Sequence, residues 1–308
     1  MNRRVEFNEQ QWDELVSIEL EPMMGRPVGP RGLARRLGGC DEPVFSLCTM
    51  LTDWVEYREC IASFRARGFN ETNCEFIVVD NSVANQADAY IACNEFLQSA
   101  SGRYVVLCHQ DVLLMEHDVN VLQAQLAKLD VMDPHWAICG NAGYTSDGWP
   151  VLNLEQNYGP EIQRGALPMK VMSVDENFIV VRRLANLASS RDLHGYHHYG
   201  PDLCIVADVL GWSSYVIDFY LKHKSTGTID ERYTQSRDRI AAKYRRAFRS
   251  RWMHVVTQYP FLLSGVPVPD KLARFHRWLG RVVGTHPRGK HVMNPERRAQ
   301  RYARETQS

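Results

Sequence analysis

The stretch Gly102-Arg103-Tyr104-Val105-Val106-Leu107-Cys108-His109-Gln110-Asp111-Val112 decides the fold. Tyr104 to Leu107 is a short apolar run, the mark of a buried strand, and it stops abruptly in Cys108-His109-Gln110-Asp111. Two upstream runs have the same form. Val44 to Thr49 is followed by Thr52 and Asp53, and Glu75 to Val79 by Asp80-Asn81-Ser82. Helical patterns lie between and after them. Asp53 and Glu56 have the spacing of a capping box, and Val55, Cys60, Ile61 and Phe64 recur at helical spacing until Gly68. Ala87 to Leu97 sets Tyr90, Ile91 and Leu97 on one face, and Asn120 to Leu129 reads as a further helix. This alternation predicts an α/β fold, a mainly parallel sheet flanked by helices. Right-handed crossovers bring the C-terminal ends of such strands to one edge, where open α/β sheets bind ligands. A single Asp there is commonly only a turn or cap residue. Polar residues after all three strands make that edge a candidate site.

Outward from this block the pattern loosens. Residues 1–42 read as irregular, punctuated by Pro22, Pro27 and Pro30, with one short helix at Gln10 to Leu20. From Trp136 to Arg183 glycines recur, and Lys170 to Val174 and Phe178 to Val181 read as two strands around Asp175-Glu176. Leu203 to Leu210 reads as a helix, and Ser214 to Leu221 as a strand running into His223. After Asp230 the chain is basic and mainly helical, broken at Pro260, Pro267 and Pro269. Three regions follow: an irregular segment over 1–42, a catalytic-type α/β domain over 43–229, and a basic helical region over 230–308.

The chain has 308 residues, 36 Lys+Arg and 36 Asp+Glu, so its formal net charge is zero. That balance hides a split: residues 230–308 carry 18 Lys+Arg against 6 Asp+Glu, a surplus of +12, and residues 1–229 carry the opposite −12. A hydrophobic content of 44% rules out wholesale disorder. None of the eight Cys forms a C-x-x-C pair, which argues against a zinc ribbon or thioredoxin motif. Several lie in apolar runs, the setting of buried free thiols, so a reducing cytoplasm is the expected compartment. The polar start, Met1 to Gln10, lacks a signal-peptide core, and no run approaches the roughly 18 apolar residues of a spanning helix. Any work at a membrane is therefore expected on its inner face.

The order of these motifs resembles family-2-like glycosyltransferases of the GT-A fold, and is most similar to the small branch typified by the streptomycin-biosynthesis glycosyltransferase-like proteins. Its carriers are Ile77-Val78-Val79-Asp80-Asn81-Ser82, Asn94, the stretch Gly102 to Val112, and Val174-Asp175-Glu176 with Phe178 to Arg183. Gly195-Tyr196 through Tyr199, Asp202-Leu203-Cys204, Gly211, and His223 with Gly227 complete the set. They span roughly residues 44–230.

The resemblance implies a hexosyltransferase-like enzyme that moves a sugar from a nucleotide-diphospho-sugar to an acceptor hydroxyl, with inversion. The acceptor is left open among a glycan, a lipid-linked molecule and a small molecule. The leaving diphosphate gains charge as the anomeric bond breaks, and a divalent metal stabilises it as a Lewis acid. Mn²⁺ or Mg²⁺ is expected; Mg²⁺ prefers oxygen ligands, whereas Mn²⁺ also accepts imidazole. Asp111 falls where the family carries Asp-x-Asp, but this chain reads His109-Gln110-Asp111, so His replaces the first carboxylate. The implied metal residues are Asp111, His223 and His109; His223 reads equally as a surface histidine at a strand end. The implied nucleotide-sugar residues are Asp80, Asn81, Thr49, Asn94, Gln110 and Asp175. Asp202 matches the family's general base, with an N-cap as its alternative, and Glu176 is the second catalytic candidate. Tyr196, His197, His198 and Tyr199 form an aromatic and histidine cluster suited either to stacking on a sugar ring or to the core.

In the tail, Tyr244, Phe248 and Trp252 lie among Arg245, Arg246, Arg249 and Arg251, and Leu272, Phe275, Trp278, Leu279 and Val282 lie among Lys271, Arg274, Arg277 and Arg281. These spacings separate apolar from cationic faces. They suit peripheral membrane contact or packing on the catalytic domain; without a binding motif, no nucleic-acid partner is expected. Three other classes stay open: a non-catalytic sugar- or nucleotide-binding module, a nucleotidyltransferase, for which the Gly-rich loop is missing, and a membrane-surface scaffold.

Overall fold

A computed structural model describes residues 25–156, 159–163, 165–225, 229–253 and 261–266, together with Phe275 and Trp278. The helix expected at Gln10 to Leu20 lies outside these residues, as do Leu272, Leu279 and Val282 of the tail. The chain divides into two compact units, Met1–Ala241 and Ala242–Ser308.

The first unit is α/β. Its elements run β1 (Arg26–Val28), β2 (Ala34–Gly39), β3 (Phe45–Leu51), α1 (Trp54–Ala66), β4 (Cys74–Asp80), α2 (Ala89–Ser99), β5 (Tyr104–Cys108), β6 (Val112–Leu113) and α3 (Val119–Met132). They continue as β7 (Trp136–Gly140), β8 (Ala142–Tyr144), β9 (Pro150–Gln156), β10 (Gly159–Gln163), β11 (Met169–Val171), β12 (Ser173–Val174) and β13 (Phe178–Arg182). Then follow α4 (Tyr199–Val209), β14 (Ser213–Val216), β15 (Leu221–His223) and α5 (Glu231–Ala247), which runs into the second unit. The second unit holds β16 (Arg251–Met253) paired with β17 (Phe261–Leu263), so a strand pair follows the helical start of the tail.

Nine strands form the main sheet in the order β1-β2-β4-β3-β5-β13-β7-β14-β11. Its centre is parallel, β3 lying between β4 and β5, as expected of two βαβ crossovers. Antiparallel β13 enters between β5 and β7, so the sheet is mixed outside that centre. Both faces are covered. Along β3, Phe45, Leu47 and Leu51 join the core with α1 and α3, while Cys48 joins the opposite core with α2 and α4. The same alternation sends Tyr104 and Val106 one way and Val105 and Leu107 the other. A smaller sheet, β12-β8-β9-β15-β6, adjoins the C-terminal ends of the parallel strands.

The segment read as irregular supplies β1 and β2, which pair on the edge next to β4. Arg-rich Ala34-Arg35-Arg36 hides β2, whose residues after Ala34 are half-buried or exposed and so show no apolar run. Strands β7 to β10 were likewise illegible: they are short and interrupted by Gly140, Gly143, Gly148 and Gly159. Asp53 is the N-cap of α1, its carboxylate accepting from Val55 N–H at 2.7 Å and Glu56 N–H at 3.3 Å. Helix α4 begins at Tyr199, four residues before the expected start, because the left-handed turn at His198 (φ 67°) directs the chain into it. Among the described residues no helix is long and apolar enough to cross a membrane.

Candidate functional site

The strand ends converge as the spacing predicted. At the end of β5, His109 N–H donates to the Asn177 carbonyl at 3.0 Å, tying β5 to the approach of β13. The chain then enters β6, which pairs antiparallel with β15 in the register Val112 opposite His223. That ladder carries His223 to Asp111: His223 Nε2 lies 3.3 Å from Asp111 Oδ1, and Lys224 N–H donates to the Asp111 carbonyl at 3.0 Å. His109 Nδ1 stands 4.0 Å from the same Oδ1. One ligand-type atom from each of His109, Asp111 and His223 lies within 4.8 Å of the others.

Hydrogen bonding fixes how these groups face one another. The Tyr199 hydroxyl donates to the Glu176 carbonyl at 3.1 Å and lies 3.0 Å from His109 Nε2. With its proton committed to Glu176, the hydroxyl oxygen accepts from His109 Nε2–H. This assigns the tautomer and leaves the Nδ1 lone pair turned toward Asp111. A lone pair facing a carboxylate across 4.0 Å suits a cation between them, so the donor set fits a divalent metal that tolerates imidazole. His223 Nε2 is also 3.2 Å from the Ser225 hydroxyl.

The electrostatics agree with the geometry. Burial alone would raise the Asp111 carboxyl, but the His223 hydrogen bond and charge, Ser225 and His109 together hold it well below the usual carboxylate range. Burial lowers His109, only partly opposed by Asp111. His223 moves up, because its hydrogen bond to Asp111 outweighs the cost of burial. Glu176 is the outlier: burial, and then the neighbouring Asp175 charge, push its carboxyl up to about 8. Its Oε1 accepts from Gly200 N–H at 3.1 Å. Gly200 permits that approach, since a Cβ there would stand 2.7 Å from the Val174 carbonyl and 3.1 Å from Glu176 Cγ.

These residues line one cleft of about 450 Å³, with His109, Gln110, Asp111, Asp175, Glu176 and His223 all on its wall. Tyr196, His197 and Tyr199 of the aromatic cluster join them, as do Gln156, Ser225 and Tyr233. Gln110 does more than line it. Its Oε1 accepts from Thr52 and Asp53 N–H at 2.7 and 3.0 Å, and its Nε2 reaches Glu56, bracing the start of α1 from the turn after β5. Exposed Asp175 accepts from Asn177 Nδ2 at 2.8 Å. Asp80 takes the Trp54 indole N–H at 3.2 Å and Ser82 N–H at 2.8 Å. Asn81 spans its own loop through Gln86 and Ala87. Thr49 is buried within β3, three residues before the cleft residue Thr52.

Thr49, Asp80 and Asn81 do not line the cleft, and Asn94 and Asp202 are engaged elsewhere. Asn94 is engaged with the Ser189 backbone in both directions, at 3.0 and 3.1 Å. Asp202 is fully buried in the first turn of α4, neither ahead of the helix nor its N-cap, and its carboxylate takes Ser190 N–H and the Ser190 hydroxyl, each at 2.7 Å. The reading of the sequence missed Gln156, Tyr233, Gly200 and the clamping role of Tyr199. Gln156 ends a strand hidden among glycines, and Tyr233 belongs to the basic helix; neither had a local signal.

No family model matches the chain. It is 36% identical over 223 residues to the protein described as "ATP synthase subunits region ORF 6" from Fuscovulum blasticum, covering 70% of this chain and 88% of that one. Among solved structures, GalNAc-T7 crystallised with UDP, GalNAc and Mn²⁺ is similar at a TM-score of 0.46 and 9% identity, over 66% of this chain and 48% of that one. The TarS protein of S. aureus is similar at 0.41 and 12%, over 67% and 43%. The chain thus spans about half the length of these two solved proteins.

Proposed function

We propose that this chain, which belongs to the family of the Fuscovulum blasticum ORF 6 protein, is a metal-dependent, inverting glycosyltransferase using a nucleotide-diphospho-sugar. The observation that carries the reading is the meeting of His109, Asp111 and His223 at the sheet edge, at the positions its motif order assigns to metal ligands. These three residues would hold Mn²⁺ or Mg²⁺, with the mixed imidazole and carboxylate set favouring Mn²⁺. When bound, the ion supplies Lewis-acid stabilisation of the departing diphosphate.

The remaining work falls to the chain's own side chains. Tyr199 keeps His109 in the tautomer that presents Nδ1 to the cleft. Asp80, beside Trp54, offers a carboxylate to a base or ribose, and Gln110 holds the Thr52–Asp53 backbone that borders the nucleotide side. Glu176 takes the proton from the attacking acceptor hydroxyl. A carboxyl at about 8 holds a proton more tightly than an ordinary one, which suits a general base working near neutrality. Asp175 orients the acceptor from the cleft wall, and Tyr196, His197 and Tyr233 give a sugar ring an aromatic surface.

A thermal-shift screen of UDP-, GDP- and dTDP-sugars, with and without Mn²⁺, tests the reading when paired with an assay for nucleotide release. Metal-dependent stabilisation by one donor, followed by nucleotide release, is the expected result. Absence of both with every donor defeats the proposal, and binding without release would make the chain a non-catalytic nucleotide-sugar module.

A further inference from the structure

We infer that the unit Ala242–Ser308 carries a docking surface for an anionic lipid bilayer. Residues 242–266 contain Lys243, Arg245, Arg246, Arg249 and Arg251 and not one Asp or Glu. In the same segment Phe248, Met253, Phe261, Leu263 and Val266 are 37–68% exposed. The strand pair groups three of them. Met253 is the register partner of Phe261, and Leu263 stands two residues further along β17, so all three share one face with Arg251, the register partner of Leu263. Phe248 stacks on Tyr244 at the end of α5, with ring centroids 5.5 Å apart.

Two of the cations are fixed where α5 meets the strand pair. Arg249 Nη1 donates to the Arg246 carbonyl at 2.5 Å and Arg251 Nη1 to the Ala247 carbonyl at 2.7 Å, holding both guanidinium groups at the C-terminus of α5 beside Phe248. Each guanidinium keeps further N–H donors for phosphate oxygens. Exposed aromatic and aliphatic side chains accompanied by arginine, in a segment 242–266 without a carboxylate to repel phosphate, fit the boundary between headgroups and acyl chains. Nucleic acid would use the cations but not an aliphatic face such as Met253 and Leu263. The surplus of +12 over residues 230–308 extends the attraction beyond the segment itself. The inference is independent of glycosyl transfer.

Co-sedimentation of the full-length chain with phosphatidylcholine vesicles, with and without about 30% phosphatidylglycerol, tests it. Pelleting with the anionic vesicles alone, and release by salt, are expected. Arg245→Glu combined with Arg249→Glu should weaken binding by about tenfold or more. Phe261→Ser combined with Leu263→Ser should weaken it while leaving the salt dependence intact. Unfolding midpoints identify any variant that fails to fold, and the salt titration of the unaltered protein reads the charge contribution without any substitution. No pelleting with anionic vesicles, equal pelleting with neutral ones, or tighter binding to single-stranded RNA at the same salt overturns the inference.

Discussion

The two ends of the central sheet hold buried charge in opposite ways. At the N-terminal end of the parallel strands, Glu75 is fully buried, one carboxylate oxygen saturated by donors and the other facing Arg36. Its carboxylate takes the Ser46 hydroxyl at 2.5 Å and Ser101 N–H at 2.6 Å, and it pairs with Arg36 Nη2 at 2.6 Å. Gly102 N–H approaches the same group at 3.3 Å, in a spot so tight that a Cβ would lie 2.7 Å from the Ser46 nitrogen. At the C-terminal end, Asp111 faces two imidazoles and Glu176 is left with a carboxyl near 8. The larger recess, about 1190 Å³, lies at the N-terminal end, where Asp41, Arg103, Arg183 and Arg191 line it. Size therefore does not mark the site. The smaller cleft is set apart by a His109-Asp111-His223 cluster of ligand-type atoms within 4.8 Å of one another and by the raised Glu176 carboxyl.

The comparison can be broken most directly at its structural end. Glu75→Ala should cost about 3–5 kcal/mol in urea unfolding, because it strands Arg36 and several N–H groups, while turnover per folded molecule stays level. A loss below about 1 kcal/mol would mean that the saturated end is not what holds the sheet edge. At the other end Asp111→Ala should lower turnover by about 10²–10³ and abolish Mn²⁺ binding, with little change in unfolding midpoint. Unchanged turnover with Mn²⁺ would remove Asp111 from the metal site. Tyr199→Phe keeps the ring and deletes the hydroxyl that sets the His109 tautomer. Mn²⁺ affinity, read by calorimetry without donor, should fall by about tenfold, and an unaltered affinity would show that the hydroxyl does not orient the ligand.

The smallest effect concerns pH. Glu176 rises from 4.5 to about 8 on folding, so the fold binds its proton more tightly than the unfolded chain does. That contribution to stability is fully present below 4.5 and is lost as pH rises through about 8. Glu176→Gln should flatten this decline in denaturant titrations across the window. An equal slope in both proteins would place the raised carboxyl elsewhere. As a general base the deprotonated carboxylate is required, so wild-type turnover should increase with pH over the same range.

Much of this was legible in the residues. β3, β4 and β5 are largely apolar runs because both faces of the sheet are buried, and β3 and β5 end where polar residues reach the cleft. Asp53 showed its cap through spacing alone. His109 and Asp111 stood out as polar residues terminating a buried strand, and Glu176 as one of two acids between two strands. Asn94 and Asp202 were misplaced for a common reason. Each lies on the right helix, but helix rotation is set by packing, and packing turned them to Ser189 and Ser190. Strands β1 and β2, at and next to the sheet edge, were missed because their half-exposed positions accept arginine.

The sequence by itself determined the alternation of strands and helices, the edge at which His109 and Asp111 stand, and the division of charge between body and tail. These follow from periods of two and 3.6 residues and from composition, which are local properties. Only the tertiary structure decided that antiparallel β13 enters the sheet, that the β6–β15 ladder sets His223 against Asp111, and that Tyr199 fixes the face of His109. Those are distances between segments far apart in the chain, and they depend on how the smaller sheet closes over the strand ends, which no local pattern encodes.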